Sequence, residues 1–128
     1  QALRDGDDQL ATQIAFCAAL VRNLLLLEFL ETVVADAFLT HAERLETYQW
    51  NDFLADRALR DPAILGWTEA SRRKMGQVVF RMLTEVGLMD STRNHKLRTI
   101  LVRNEVIDLL LQHDLTRIQQ CLIALRPR

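Results

Sequence analysis

The chain has 128 residues and a mass of 14.8 kDa, with 49% apolar and 26% charged residues, enough to fill one core and too apolar for wholesale disorder. Four glycines and two prolines exclude collagen-like, linker-rich and many-turned all-β architectures. The net charge of −1 conceals five arginines against eleven carboxylates in residues 1–65 and eleven cations against six carboxylates in residues 66–128, an asymmetry that favours nucleic acid or a charged partner over small-molecule catalysis.

In chain order, Asp7 and Asp8 are good caps for a first helix from about Gln9 to Val21. Leu10, Ile14, Cys17 and Val21 share a face of it, and Ala11, Ala15 and Ala19 form a stripe of small residues. Arg22 and Asn23 mark a kink or boundary. From Leu24 to Leu39 the wheel separates Glu28, Glu31, Thr32, Ala35 and Asp36 from Leu26, Phe29, Leu30, Val33, Val34 and Phe38, as an amphipathic helix does. Charges at Arg22, Glu28, Glu31 and Asp36 interrupt this apolar stretch, so it does not read as a membrane span. No signal pattern precedes it, and the expected location is the cytoplasm. A third helix, about Tyr48 to Arg60, buries Trp50, Phe53 and Leu54 and stops before Asp61-Pro62.

Residues 61–66 read as a hinge between an acidic helical subdomain, 1–65, and a basic one, 66–128. Thr68 caps a long helix ending at Val86, where Gly87 supplies a left-handed terminator. Its apolar arc is Met75, Val78, Val79, Met82, Leu83 and Val86, while Arg73, Gln77, Arg81 and Thr84 lie opposite. Phe80 falls among the polar residues, and packing against a neighbouring helix is its expected fate. Leu88-Met89, a polar tip from Asp90 to Lys96 and the β-branched run from Leu97 to Val102 read as a short β-hairpin. Helices from about Glu105 to Gln112 and Thr116 to Leu125 close the chain, with Asn104 and Asp114 as candidate caps. The expected fold is therefore mainly α: a helical bundle with a winged-helix-like helix plus short β-hairpin in its C-terminal half.

Chemistry is sparse in this pattern. Cys17 and Cys121 lack any metal or redox spacing and read as buried thiols. His41, His95 and His113 stand alone. The pairs Glu28/Glu31 and Asp52/Asp56 read as solvated helix faces, and Trp50 and Trp67 as core anchors. No phosphate-binding glycine loop, nucleophile elbow or metalloprotease helix occurs, so neither an enzyme nor a cofactor is expected. The sharpest feature spans Arg72 to Arg103, with eight cations against Glu85 and Asp90. Phosphate binding requires cations in such an array, with small polar donors that set register. The candidate nucleic-acid-binding residues are Arg72, Arg73, Lys74, Gln77, Arg81, Arg93, Lys96 and Arg98. Phosphate contacts carry no base information, and charge alone leaves DNA and RNA open.

The stretch from Trp67 to Leu88, WTEASRRKMGQVVFRMLTEVGL, resembles the BrxA family of bacterial BREX phage-resistance systems, as do Leu24–Val34 and Trp50–Leu54. The resemblance covers most of the chain, although family members carry a further N-terminal helical region. It implies a non-enzymatic protein that binds double-stranded DNA with little sequence preference, alongside other BREX components. The basic positions it matches are Arg72, Arg73, Lys74 and Arg81, whereas Arg93 and Lys96 rest on the charge pattern. The competing expectation is an interaction adaptor that docks an acidic partner, or self-associates through the alanine stripe. The oligomeric state is left open.

Overall fold

A computed structural model describes residues 2–125, with side chains from residue 7 onward. Helix α1 spans Ala2–Arg22, so it passes through Asp7 and Asp8 rather than starting at them. Asn23 breaks it. Its side chain accepts a hydrogen bond from Leu26 N at 3.1 Å, capping the next segment, which leaves at 106°. No single helix among the described residues is long and apolar enough to cross a membrane.

The second segment runs from Leu24 to Leu39, as its amphipathic pattern predicts, but not as one uniform α-helix. It comprises α2 (Leu24–Phe29), a π-helical turn (Leu30–Val34) and α3 (Ala35–Leu39). A π turn closes i to i+5, so Phe29 and Val34, five residues apart, are both fully buried. On the other side of the turn Glu28 and Glu31 are half-buried and paired, not solvated. Glu28 meets Arg57, and Glu31 takes two hydrogen bonds from Arg117, at 2.6 and 2.9 Å. Bidentate pairing of this kind fixes geometry as well as charge.

Helix α4 (Thr47–Ala58) follows, and Asp61 caps the short α5 (Pro62–Leu65). Helix α6 (Glu69–Val86) begins and ends where its sequence signals lie. Thr68 Oγ1 accepts from Ser71 N at 3.0 Å, and Gly87 is left-handed at φ 96°. Helices α7 (Asn104–Gln112) and α8 (Thr116–Ala124) complete the order. Their caps are Arg103 and Leu115 rather than Asn104 and Asp114. Asp114 instead takes a left-handed turn conformation, at φ 56°.

Helix α1 packs against α6, α7 and α8, and α4 against α6. The buried side chains form one cluster from Phe16 to Leu125. Phe29 sits inside it, edge-on to Trp50 at 5.3 Å and to Phe53 at 5.2 Å, contacts worth about 0.5–1.5 kcal/mol each beyond area burial. Cys17 and Cys121 are buried in this cluster, and burial pushes their thiols up to about 11 and about 12.

The expected β-hairpin is not formed, and with it the winged-helix-like reading falls. Among the described residues there are only two isolated antiparallel pairings, Met89 with Leu97 and Arg44 with Lys96. The physical reason lies in what flanks each side. Gly87 turns the chain immediately before Leu88, and the Asp90–Asn94 turn follows at once, so only Met89 is free to pair. The run that reads as the second strand is extended, with Ile100 and Val102 buried and Leu101 69% exposed. Leu97 N and Arg98 N still donate to the Glu43 and Leu88 carbonyls, at 2.9 and 2.8 Å, but farther along a side chain takes the place of a partner strand. Gln13, 4% exposed on α1, donates from Nε2 to the Leu101 carbonyl at 3.0 Å and accepts from Arg103 N at 2.9 Å.

Candidate nucleic-acid interface

Helix α6 buries more of its circumference than its wheel predicts. Gly76, Val79, Phe80, Leu83 and Val86 are buried, so Phe80, although it falls among polar residues on the wheel, packs inward as expected. Its ring meets that of His95 edge-on at 4.6 Å and lies 6.3 Å from Phe29. His95 in turn donates from Nδ1 to the Leu45 carbonyl at 3.2 Å. Trp50 reaches across from α4 and donates its indole N–H to the Arg72 carbonyl at 3.0 Å. A Cβ on Gly76 would lie 2.7 Å from two atoms of that ring, so the glycine sets how closely α4 and α6 approach.

Between α4, the exposed side of α6 and the 90–96 loop lies an open groove of about 1140 Å³. Arg72, Arg73, Gln77 and Arg81 of α6 line one side, Thr92 and His95 the other, and Trp50, Leu54 and Phe80 are among its apolar lining. Arg73, Gln77 and Arg81 are exposed and four residues apart, hence in one row spanning about 12 Å. Four of the eight candidate cationic or polar positions thus share the groove; Lys74, Arg93, Lys96 and Arg98 lie outside its lining.

The cations differ in how far they are committed. Arg72 is half-buried and donates from Nη2 to the Ile64 carbonyl at 3.1 Å, so it ties α6 to α5. Arg98 pairs with Asp90 at 3.1 Å. Arg81 approaches Glu85 at 3.8 Å with both side chains well exposed, a contact of little energetic weight. Arg73, Lys74, Arg93 and Lys96 are exposed, and none has an ion-pair partner among the described residues. Two residues were missed by the charge pattern. His95 enters the groove from a turn in which it is left-handed at φ 55°. Arg44, from the acidic half, is brought opposite Lys96. A long-range pairing of this kind leaves no periodic signal in sequence.

A family model described as BrxA matches residues 1–114. The chain is 30% identical over 122 residues to a BREX protein BrxA of Paramagnetospirillum magneticum, covering 95% of this chain and 61% of that protein. It is 27% identical over 119 residues to a BREX protein BrxA of Escherichia coli O9:H4, covering 91% and 56%. The fold is similar to a crystal structure of an uncharacterized protein from Magnetospirillum magneticum, with a TM-score of 0.83, 30% identity and coverage of 93% and 63%. The chain therefore spans about three fifths of the length of the relatives it matches. It belongs to the BrxA family.

Proposed function

We propose that this chain is a non-enzymatic, cytoplasmic component of a BREX-type phage-defence system that binds double-stranded DNA with little sequence preference. The observation that carries the reading is the exposed row Arg73–Gln77–Arg81 along the lip of the groove. Its length of about 12 Å is close to the width of the major groove of B-DNA, so cations at its ends reach phosphates on both strands. Gln77 between them is a donor and acceptor for backbone or base edges. The relatives' name, BREX protein BrxA, supports the cellular setting.

The test is fluorescence anisotropy with two unrelated labelled duplexes at low and near-physiological salt. Both bind with similar affinity, and both weaken steeply as salt rises, because each neutralised phosphate releases counterions. Arg73→Ala together with Arg81→Ala weakens both duplexes about equally. Unchanged affinity in that double variant removes this face from the interface.

The apolar lining of the same groove favours one second reading, an adaptor that docks an acidic protein segment carrying an apolar anchor. Duplex DNA displaces such a segment if the two share the face. Binding of partner components that is indifferent both to added duplex and to the Arg73→Ala/Arg81→Ala change is the result that sinks the adaptor reading at this groove.

A further inference from the structure

One isolated pairing sets two positive charges against each other, and neither is in an ion pair among the described residues. Leu45 N donates to the His95 carbonyl at 3.0 Å and Leu97 N to the Glu43 carbonyl at 2.9 Å, so Arg44 and Lys96 face each other between those bonds. This is the non-hydrogen-bonded position of an antiparallel pair, where Cα atoms approach to about 4.5 Å and the side chains lie side by side. Like charges placed directly opposite destabilise the pairing. Both residues are exposed, and neither has an ion-pair partner among the described residues. The carboxylate of the loop, Asp90, is already taken by Arg98 at 3.1 Å and by Asn94 at 3.0 Å.

The pairing is held in spite of this repulsion. Leu45 is fully buried beside Arg44, Lys96 N donates to Asn94 Oδ1 at 2.9 Å, and the Lys96 carbonyl accepts from Asp90 N at 2.8 Å. A local conflict that the surroundings enforce is expected where function requires it.

We propose that Arg44 and Lys96 form a phosphate clamp, outside the groove lining, that takes one phosphodiester of a nucleic-acid backbone between them. A guanidinium presents a planar fork to phosphate oxygens and an ammonium acts as a compact point charge, so the pair combines orientation with attraction. The bound anion converts the repulsion into two attractions. Nucleic acid as the source of the phosphate rests on the function proposed above; the clamp itself rests only on the pairing.

The experiment compares the wild-type chain with Arg44→Gln/Lys96→Gln in two arms. With duplex DNA, the slope of log affinity against log salt becomes shallower by about 0.9, the value for one phosphate contact, and low-salt affinity falls by roughly tenfold or less. With inorganic pyrophosphate and no DNA, the Tm of the wild type rises and that of the double variant stays flat. Without any added anion the variant is at least as thermostable as the wild type, since the repulsion is gone; a lower Tm identifies the pair as merely structural and overturns the clamp. If the wild type fails to bind duplex at all, the DNA reading falls, and the pyrophosphate arm alone decides. Stabilisation lost in the variant then upholds a phosphate site with another source, whereas equal stabilisation of both proteins overturns it. If duplex binds and slope and affinity match the wild type, the clamp is not part of the nucleic-acid interface.

Discussion

The two sides of the groove are built from different materials. The α4–α6 side has its backbone satisfied within helices and is joined by packing: Trp50 is 2% exposed and lies directly against Gly76. The loop side has two single-residue pairings and a few side-chain bonds to backbone. Ser91 Oγ accepts from Arg93 N at 3.2 Å and from Asn94 N at 3.1 Å, and Asn94 Oδ1 accepts from Lys96 N. The first side draws its stability from buried area, which one substitution reduces steeply. The second draws on polar contacts of about 1 kcal/mol each, at the edge of water. The cations of α6 are therefore held by helix packing, and those of the loop by a handful of individual polar bonds, some of them reaching to residues 43–45.

Four substitutions test that contrast. Trp50→Ala removes a buried ring, its bond to the Arg72 carbonyl and its contact with Phe29, and should cost about 3–5 kcal/mol in urea unfolding. A loss below about 1 kcal/mol would show that packing does not dominate the helical side. Gly76→Ala comes next. The better helix propensity of alanine, about 1 kcal/mol, is outweighed by a Cβ at 2.7 Å from a buried ring, leaving a net loss of about 1–2 kcal/mol from overpacking. A stabilised Gly76→Ala protein would mean that α4 and α6 separate easily.

On the other side, Gln13→Ala strips the 97–103 segment of both its bonds to α1 and should cost about 1–2 kcal/mol, with faster amide exchange at Arg103. Ser91→Ala has the smallest effect, about 0.5–1 kcal/mol. Its signature is local: exchange at Arg93 and Asn94 accelerates while amides of α6 are unaffected. Exchange that speeds up together in α6 and the loop would erase the distinction between the sides.

Helix α6 was legible from sequence because each of its determinants is local. Thr68, Gly87 and the periodic apolar arc all act within a few residues of where they stand. The same holds for the break at Asn23 and for the row Arg73–Gln77–Arg81. The hairpin was misread because a β-branched run specifies extended backbone without specifying what pairs with it. The amide of Gln13 fills that role from 88 and 90 residues away. Glu28 and Glu31 looked solvated because their arginines lie 29 and 86 residues distant.

By itself, then, the sequence determined the longer helices and their main stops, though not the start of α1, the π turn or the short α5 that it read as a hinge. It also determined the burial of both cysteines and the cationic row of α6, all consequences of propensity, capping and periodicity over a few turns. Only the tertiary structure decided that the inward-packed Phe80 meets His95, that Gly76 admits Trp50, that α6 lines a groove and that Arg44 stands opposite Lys96. Each depends on which surfaces meet when the helices pack. Close packing is selected over the whole chain at once, so no window of sequence contains it.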